Sequence, residues 1–315
     1  MMTRREAIAK GVVALGTVGL HPPLARAEAK PVIIDTHTHF YDPTRKEGVP
    51  WPGKGDKVLY RAVLPAEYKK LAVPHGVTGT VVVEASPWVE DNQWLLDLAK
   101  DEPFLVGIVG NLSLADKDFV KNLERFAKNP LFRGIRVNEG ALKTALKDDT
   151  QIDRLKSLSD NGLSLDLNGG AETFLAAAQV AEKLPKLHVV VNHMGNPTID
   201  GKAPVEAWRK AVAIGGDAGA NVFCKMSALV EGSRKRDGMA PTDLAFYTPT
   251  LDVLWKAFGP DRLMFGSNWP VSDIFGKFET VYSLAAKYVK EKGDEAFAKV
   301  MGANAVKAYQ LKPRG

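Results

Sequence analysis

A closed barrel of eight parallel strands, each leading to a helix, is the fold that this sequence predicts. Three observations carry the prediction. Eight short apolar runs recur along the chain. Most are followed by a segment with apolar residues at helical spacing. The runs also share a habit of ending in polar residues, which in such a barrel would gather at one rim. An open, doubly wound sheet is the main competitor. It usually opens with a glycine-rich phosphate turn after its first strand, and Thr36-His37-Thr38-His39 is nothing like one.

Residues 1–27 read as a leader outside the fold. Arg4-Arg5 precede the apolar run Gly11–Leu20, and Ala25-Arg26-Ala27 offers small residues for cleavage. Charged start, short apolar core and small-residue end are the layout of a signal peptide, and the run is shorter than the ~20 residues of a membrane span. The paired arginines point to twin-arginine export, with an ordinary Sec signal or a retained anchor as alternatives. The expected location is the periplasm or cell envelope of a bacterium. Residues 28–315 are then one large domain, a length that suits a single barrel.

Composition narrows the partners. The chain has 42 Lys and Arg against 37 Asp and Glu, an excess held partly in the leader. No basic block suggests nucleic acid; Arg234-Lys235-Arg236 is short and lies in a glycine-containing loop. Cys224 is the only cysteine, so no internal disulfide can form. Neither a nucleic-acid partner nor a membrane span beyond the leader is expected.

The strands follow in order. Ile33–His39 is the first, apolar at its start and polar at its end. On a regular strand, side chains alternate between faces, so Asp35, His37 and His39 are expected on one face. Two imidazoles two residues apart at a strand end can converge on one metal ion. Two hydrogen-bonded core histidines are the alternative. Thr78–Glu84, Phe104–Gly110, Phe132–Val137 and Leu163–Asn168 follow, then Leu187–His193, Asn221–Met226 and Arg262–Asn268. Helices are expected over 91–100, 119–128, 171–184, 204–213 and 251–258. The long irregular pieces 196–204 and 231–249 each follow a strand and should lie on the active-site side of the barrel.

His37, His39, Glu84, Arg136, Asn168, His193, Lys225 and Asn268 all stand late on their strands. Buried polar groups are costly without partners, a metal or a ligand. Each alone has a structural explanation: Arg136 could pair a carboxylate, Lys225 could snorkel, Asn168 could cap a helix. Their common location favours a site.

Asp35-Thr36-His37-Thr38-His39, Phe132–Arg136, Asn192-His193-Met194-Gly195, Cys224–Ser227 and Phe265–Pro270 together resemble the amidohydrolase superfamily. Within it the chain is similar to the amidohydrolase-related group that includes sugar-lactone and muconolactone lactonases. The resemblance implies a (β/α)8 TIM barrel of the metal-dependent hydrolase type, acting through an activated water. It places His37 and His39 on the family's metal-ligand pair and His193 on its histidine after strand six. Where the family usually has an acidic residue ending strand eight, this chain has Asn268, which cannot accept a proton at neutral pH. The expected centre is therefore one divalent ion, zinc, on His37, His39 and Glu84, with an open position for water; some lactonases of this group work without metal. Asp273 is a candidate displaced carboxylate.

The implied reaction is hydrolysis of a lactone or related cyclic ester of a sugar- or aromatic-derived acid. His193 would be the catalytic acid or base. Arg136, Asn168, Lys225 and Asn268 would bind substrate, and Trp51, Trp88 and Trp269 could line the pocket. A metal-dependent decarboxylase or hydratase of the same superfamily, and a binding protein that has lost activity, are the alternatives. Strand alternation puts His193 in phase with Val189 and Val191, and Asn268 in phase with Met264 and Gly266, with both expected to face the barrel axis.

Overall fold

The computed structural model describes residues 32–314. The expected leader lies outside them. Eight parallel strands pair in sequence order, β1 to β8. They are β1 (Ile34–Thr38), β2 (Gly79–Val83), β3 (Leu105–Gly110), β4 (Phe132–Asn138), β5 (Ser164–Asn168), β6 (Val189–Val191), β7 (Val222–Met226) and β8 (Leu263–Phe265). Every predicted apolar run holds one of them. The seam between the last strand and the first closes through a parallel bridge, Thr38 with Trp269. Two backbone bonds frame it, His39 N to Trp269 O (2.9 Å) and Asn268 N to His37 O (2.8 Å).

The expected helices are observed at Val89–Lys100, Phe119–Ala127, Glu172–Lys183, Glu206–Asp217 and Thr248–Phe258. Other helices, Pro65–Ala72, Asp149–Asp160 and Phe278–Lys290 among them, complete the outer layer. Their apolar faces pack on the outward residues of the strands in one large core, which includes Val82, Leu105, Leu165, Val191, Cys224 and Phe265. A smaller core fills the barrel itself: Ile34, Val81, Val83, Val109, Val190, Phe223 and Met264. Ala305, Ala308 and Tyr309 of the C-terminal helix Asn304–Tyr309 pack into that second core. The amino end of the barrel is thereby plugged, which leaves the carboxyl end for chemistry.

One irregularity corrects the simple alternation expected on β1. Three residue steps of β1, Asp35 to Thr38, span only two on β2, Thr80 to Val82. Such a bulge shifts the phase of everything after it. Ile34 points into the barrel and so does His37, while Asp35 points out. The Asp35 carboxylate accepts the Tyr68 hydroxyl (2.6 Å) and the backbone N–H groups of His37 and Ser267 (both 2.9 Å). Asp35 is thus a brace for the seam and no part of the pocket. No described helix is long and apolar enough to cross a membrane.

Candidate active site

The site is built where strands end and turns begin. His37 is the last inward residue of β1, and His39 follows where the chain leaves the barrel. Gly266 lets β8 come this close: a Cβ there would stand 3.0 Å from His37 Cβ and 3.1 Å from Ser227 Cβ. His193 arrives by a different route from the one strand alternation suggests, and Asn268 stands beyond the end of its strand. β6 ends at Val191, whose side chain faces the outer core, and β8 ends at Phe265. Tight turns then carry the side chains over the barrel. His193 and Met194 take left-handed backbone with φ of 55° and 56°, and Asn268 does so with φ of 61°. Such conformations cost about 1–3 kcal/mol each outside glycine and gather at functional sites. Trp208 holds the first turn by donating its indole N–H to the Met194 carbonyl (2.9 Å).

The three imidazoles form a cluster. The His37 ring centre lies 5.0 Å from that of His39 and 4.3 Å from that of His193. Burial holds the protonated forms of all three far below the ordinary histidine range. For His37 the neighbouring His193 and Lys225 add to the effect, and for His193 the charges of Arg136 and Lys225 do. His39 is brought down to about 3 by burial and then by Arg136. All three are therefore neutral at physiological pH, and each carries one lone pair and one N–H.

The protein's hydrogen bonds fix which nitrogen is which. His39 Nδ1–H donates to the Val83 carbonyl (2.9 Å), so its Nε2 is the bare nitrogen. That nitrogen faces Asn268 Oδ1 at 3.2 Å. The Asn268 amide donates its NH2 to Glu231 Oε1 (2.8 Å), so Oδ1 too is an acceptor. Two acceptors thus confront each other, an arrangement that calls for a cation or a hydrogen-bond donor between them. His193 Nδ1 meets Ser227 Oγ at 2.9 Å. His37 Nε2 is buried without a partner among the described residues.

Glu231 was not foreseen in the sequence. It sits in the short turn Leu229–Gly232 after β7, at the start of a long loop. Its carboxylate is buried, one oxygen on Asn268 and Oε2 without a partner. Burial raises its pKa to about 7. Glu231 therefore holds the place beside Asn268 that the sequence reading offered to Asp273. Asp273 instead turns toward Arg61, 3.7 Å away, and does not line the cavity.

Glu84, Arg136 and Lys225 also take places that differ from expectation. Arg136 Nε donates to Glu84 Oε1 (2.8 Å) and its Nη2 to the Glu84 backbone carbonyl (3.0 Å). The carboxylate expected on a metal is thus engaged by a guanidinium. Lys225 lies beneath the pocket, fully buried. It pairs with Asp166 at 2.7 Å and reaches His37 Nδ1 at 3.3 Å. Tyr309 donates its hydroxyl to the same carboxylate (3.0 Å). An ammonium so enclosed does not meet a substrate in the pocket above it.

Above the cluster opens a cavity of about 550 Å³, in the usual range for small-molecule sites. His39, His193, Asn268, Glu231, Arg136 and Asn168 supply its polar wall, and Trp51, Ile274 and Phe275 an apolar one. Asn168 Oδ1 is buried and unpartnered. Trp88 is exposed, and Trp269 is wholly buried in the outer core, so of the three tryptophans singled out only Trp51 lines the cavity. Among the described residues no three His, Cys, Asp or Glu side chains converge as a complete metal cage. The donors that do fit a divalent ion are His39 Nε2 and Asn268 Oδ1, already face to face.

Comparison with known proteins places this geometry in context. A family model described as amidohydrolase matches residues 34–311. An L-fucono-1,5-lactonase of Burkholderia ambifaria is 31% identical over 295 residues, covering 90% of this chain and 97% of that protein. An L-fucono-1,5-lactonase of Burkholderia multivorans is 29% identical over 289 residues, covering 88% and 96%. The crystal structure of an amidohydrolase from Burkholderia multivorans with bound zinc superposes with a TM-score of 0.79 at 25% identity, over 89% of this chain and 100% of that one. With a matching barrel, the histidine pair at the end of β1 and a family match that spans nearly all described residues, the chain belongs to the amidohydrolase family.

Proposed function

We propose that this protein hydrolyses the lactone of a sugar-derived acid. The observation that carries the reading is the neutral three-histidine cluster at the floor of a cavity walled by amide, guanidinium and indole groups. Such a wall suits a polyhydroxylated, uncharged ring: Asn168 Oδ1 accepts a hydroxyl, Arg136 donates, and Trp51 offers an apolar face. The likeness to two L-fucono-1,5-lactonases supports the same substrate class.

In the reaction, water adds to the lactone carbonyl carbon and the ring C–O bond breaks, giving a hydroxy acid. His193 is placed for both proton transfers, and its lowered basicity keeps it neutral beforehand and makes it give the proton up readily. As a neutral imidazole it takes a proton from the attacking water and returns it to the departing ring oxygen. Ser227 fixes its orientation. The Nη1 of Arg136 takes no bond from the described residues and can donate to the carbonyl oxygen as negative charge grows there. A divalent ion, zinc by analogy with the Burkholderia multivorans structure, would have to take the place of a water between His39 Nε2 and Asn268 Oδ1, and would there supply further polarisation of that carbonyl.

The test is a panel of aldonolactones followed by proton release, beside aromatic carboxylic acids followed by carbon dioxide release. Lactone turnover is expected. Carbon dioxide release without lactone turnover would move the protein to a decarboxylase, and ligand binding with no turnover would leave a binding protein. We further infer that residues 1–27 direct export. A mature amino terminus near Ala27 in protein recovered from the cell envelope is the expected result, and an intact Met1 there would count against cleavage.

A further inference from the structure

We propose that Lys225 is a positioning residue that holds the His37 proton on Nε2, so that His37, His39 and Asn268 present one donor and two acceptors. That set is the complement of a water molecule, whereas a metal ion requires lone pairs throughout.

Lys225 Nζ is enclosed by three groups. Asp166 Oδ2 lies 2.7 Å away, His37 Nδ1 lies 3.3 Å away, and the Tyr309 ring centre lies 5.4 Å from the ammonium. Both members of the Lys225–Asp166 pair are fully buried. Tyr309 adds a second donor to Asp166, so this carboxylate accepts from both the Lys225 amine and the phenol hydroxyl and forms an ion pair with Lys225. An ammonium has three donors and no acceptor. The only bond it can make with His37 is therefore Nζ–H to a bare Nδ1. A neutral imidazole with a bare Nδ1 carries its hydrogen on Nε2.

His39 is fixed in the opposite tautomer, because a backbone carbonyl can only accept its Nδ1–H. One strand therefore displays Nε2–H at His37 and bare Nε2 at His39. Asn268 Oδ1 adds the second acceptor, 3.2 Å from His39 Nε2. A water seated among them accepts from His37 and donates to His39 and Asn268. This accounts both for the buried, unpartnered Nε2 of His37 and for the confrontation of two acceptors. To bind an ion at His37, the imidazole would first have to give up its bond from Lys225. The inference concerns the same pocket as the lactone reading, but its test needs no substrate, so either can fail without the other.

The test reads tautomers directly. Protein labelled with ¹⁵N-histidine is examined by long-range ¹H–¹⁵N correlation, with His37→Gln and His39→Gln for assignment. The expected spectrum shows His37 protonated at Nε2 and His39 at Nδ1. Protonation of His37 at Nδ1 in the wild-type protein would overturn the proposal. Zinc titration against a chromophoric chelator gives the second reading. The paired variant Lys225→Met with Asp166→Asn removes the buried charges together and releases Nδ1. Zinc affinity is expected to rise by about 10–100-fold, the size of effect that outer groups have on a metal ligand, here reversed in sign because Lys225 holds the His37 tautomer that cannot bind through Nε2. An unchanged or weaker affinity in the folded variant would equally overturn the proposal. If that variant does not fold, the wild-type spectrum decides alone.

Discussion

Glu231→Gln is the substitution whose outcome tests the site most sharply. Glu231 is a buried carboxyl that accepts from the Asn268 amide, and burial outweighs that bond and the charge of Arg234 to raise its pKa from the ordinary 4.5 to about 7. A carboxyl whose folded pKa is raised favours the folded state in its protonated form. Stability is therefore fully present below about 4.5, falls as pH rises toward 7, and stays lost above it. The shift corresponds to about 3 kcal/mol of stability missing at pH 8, an order-of-magnitude figure. Glutamine keeps an acceptor for the Asn268 amide and carries no charge. The variant should thus be more stable than the wild type at pH 8 by about that amount, or on the order of 5–10 °C in Tm. At pH 4.5 the two should coincide. Thermal unfolding of both proteins at a series of pH values isolates the term by difference, since the other titrating groups are shared. If the carboxylate also serves catalysis, the stabilised variant will turn over lactone more slowly. A variant equally or less stable at pH 8 would show that Glu231 is not the strained group described here.

Three further outcomes follow from the geometry. His193→Ala should lower turnover on the order of 10²–10⁴-fold with little change in KM, and a nearly neutral effect would remove His193 as the proton carrier. Arg136→Lys should lower kcat/KM for lactones by about 10–100-fold. A lysine cannot hold both the Glu84 side chain and its backbone carbonyl while pointing a third donor into the pocket, and steady-state kinetics reads the loss. Asp273→Asn should leave turnover unchanged and raise stability at pH 8 relative to pH 4. Burial lifts the Asp273 pKa to about 6 although the side chain faces Arg61 and not the cavity, so a loss of activity would return Asp273 to the site.

The barrel was legible because parallel strands, covered on both faces, read as apolar runs, and seven of the eight carried a polar residue at or near their end. The site was legible as a set of residues but not as a set of bonds. Alternation along β1 misassigned Asp35, because a bulge leaves no local mark when Asp35-Thr36-His37 reads as an ordinary strand. The inward arrival of His193 was expected for the wrong reason, since Val189 and Val191 face the outer core and a left-handed turn delivers it; Asn268 does share the inward phase of Met264, although it too lies on a left-handed turn beyond its strand. Glu231 hid in a loop where its burial depends on Asn268 and on packing that no local pattern shows. Lys225 and Asp166 are the instructive pair. Asp166 alternates in phase with Ser164 and Asn168 on β5, so an inward carboxylate was readable there. That it meets Lys225 across the barrel, and not a ligand, depends on Tyr309, more than 140 positions downstream, which closes the space beneath them.

The seam between β1 and β8 also sets a timetable for synthesis. His37 and His39 are among the first residues of the domain to leave the ribosome, whereas Asn268, which completes their pocket, leaves more than 200 positions later. Until then both strands flanking the gap are bare edges, with unpaired backbone groups that invite pairing with other chains. A nascent chain arrested after seven strands would carry both strand-one histidines, yet it would have neither their geometry nor the Asp35 brace, whose second partner is the Ser267 amide. Protection from self-association therefore comes in the same step that assembles the pocket. Any factor that shelters this chain during translation has to remain with it until the eighth strand has emerged.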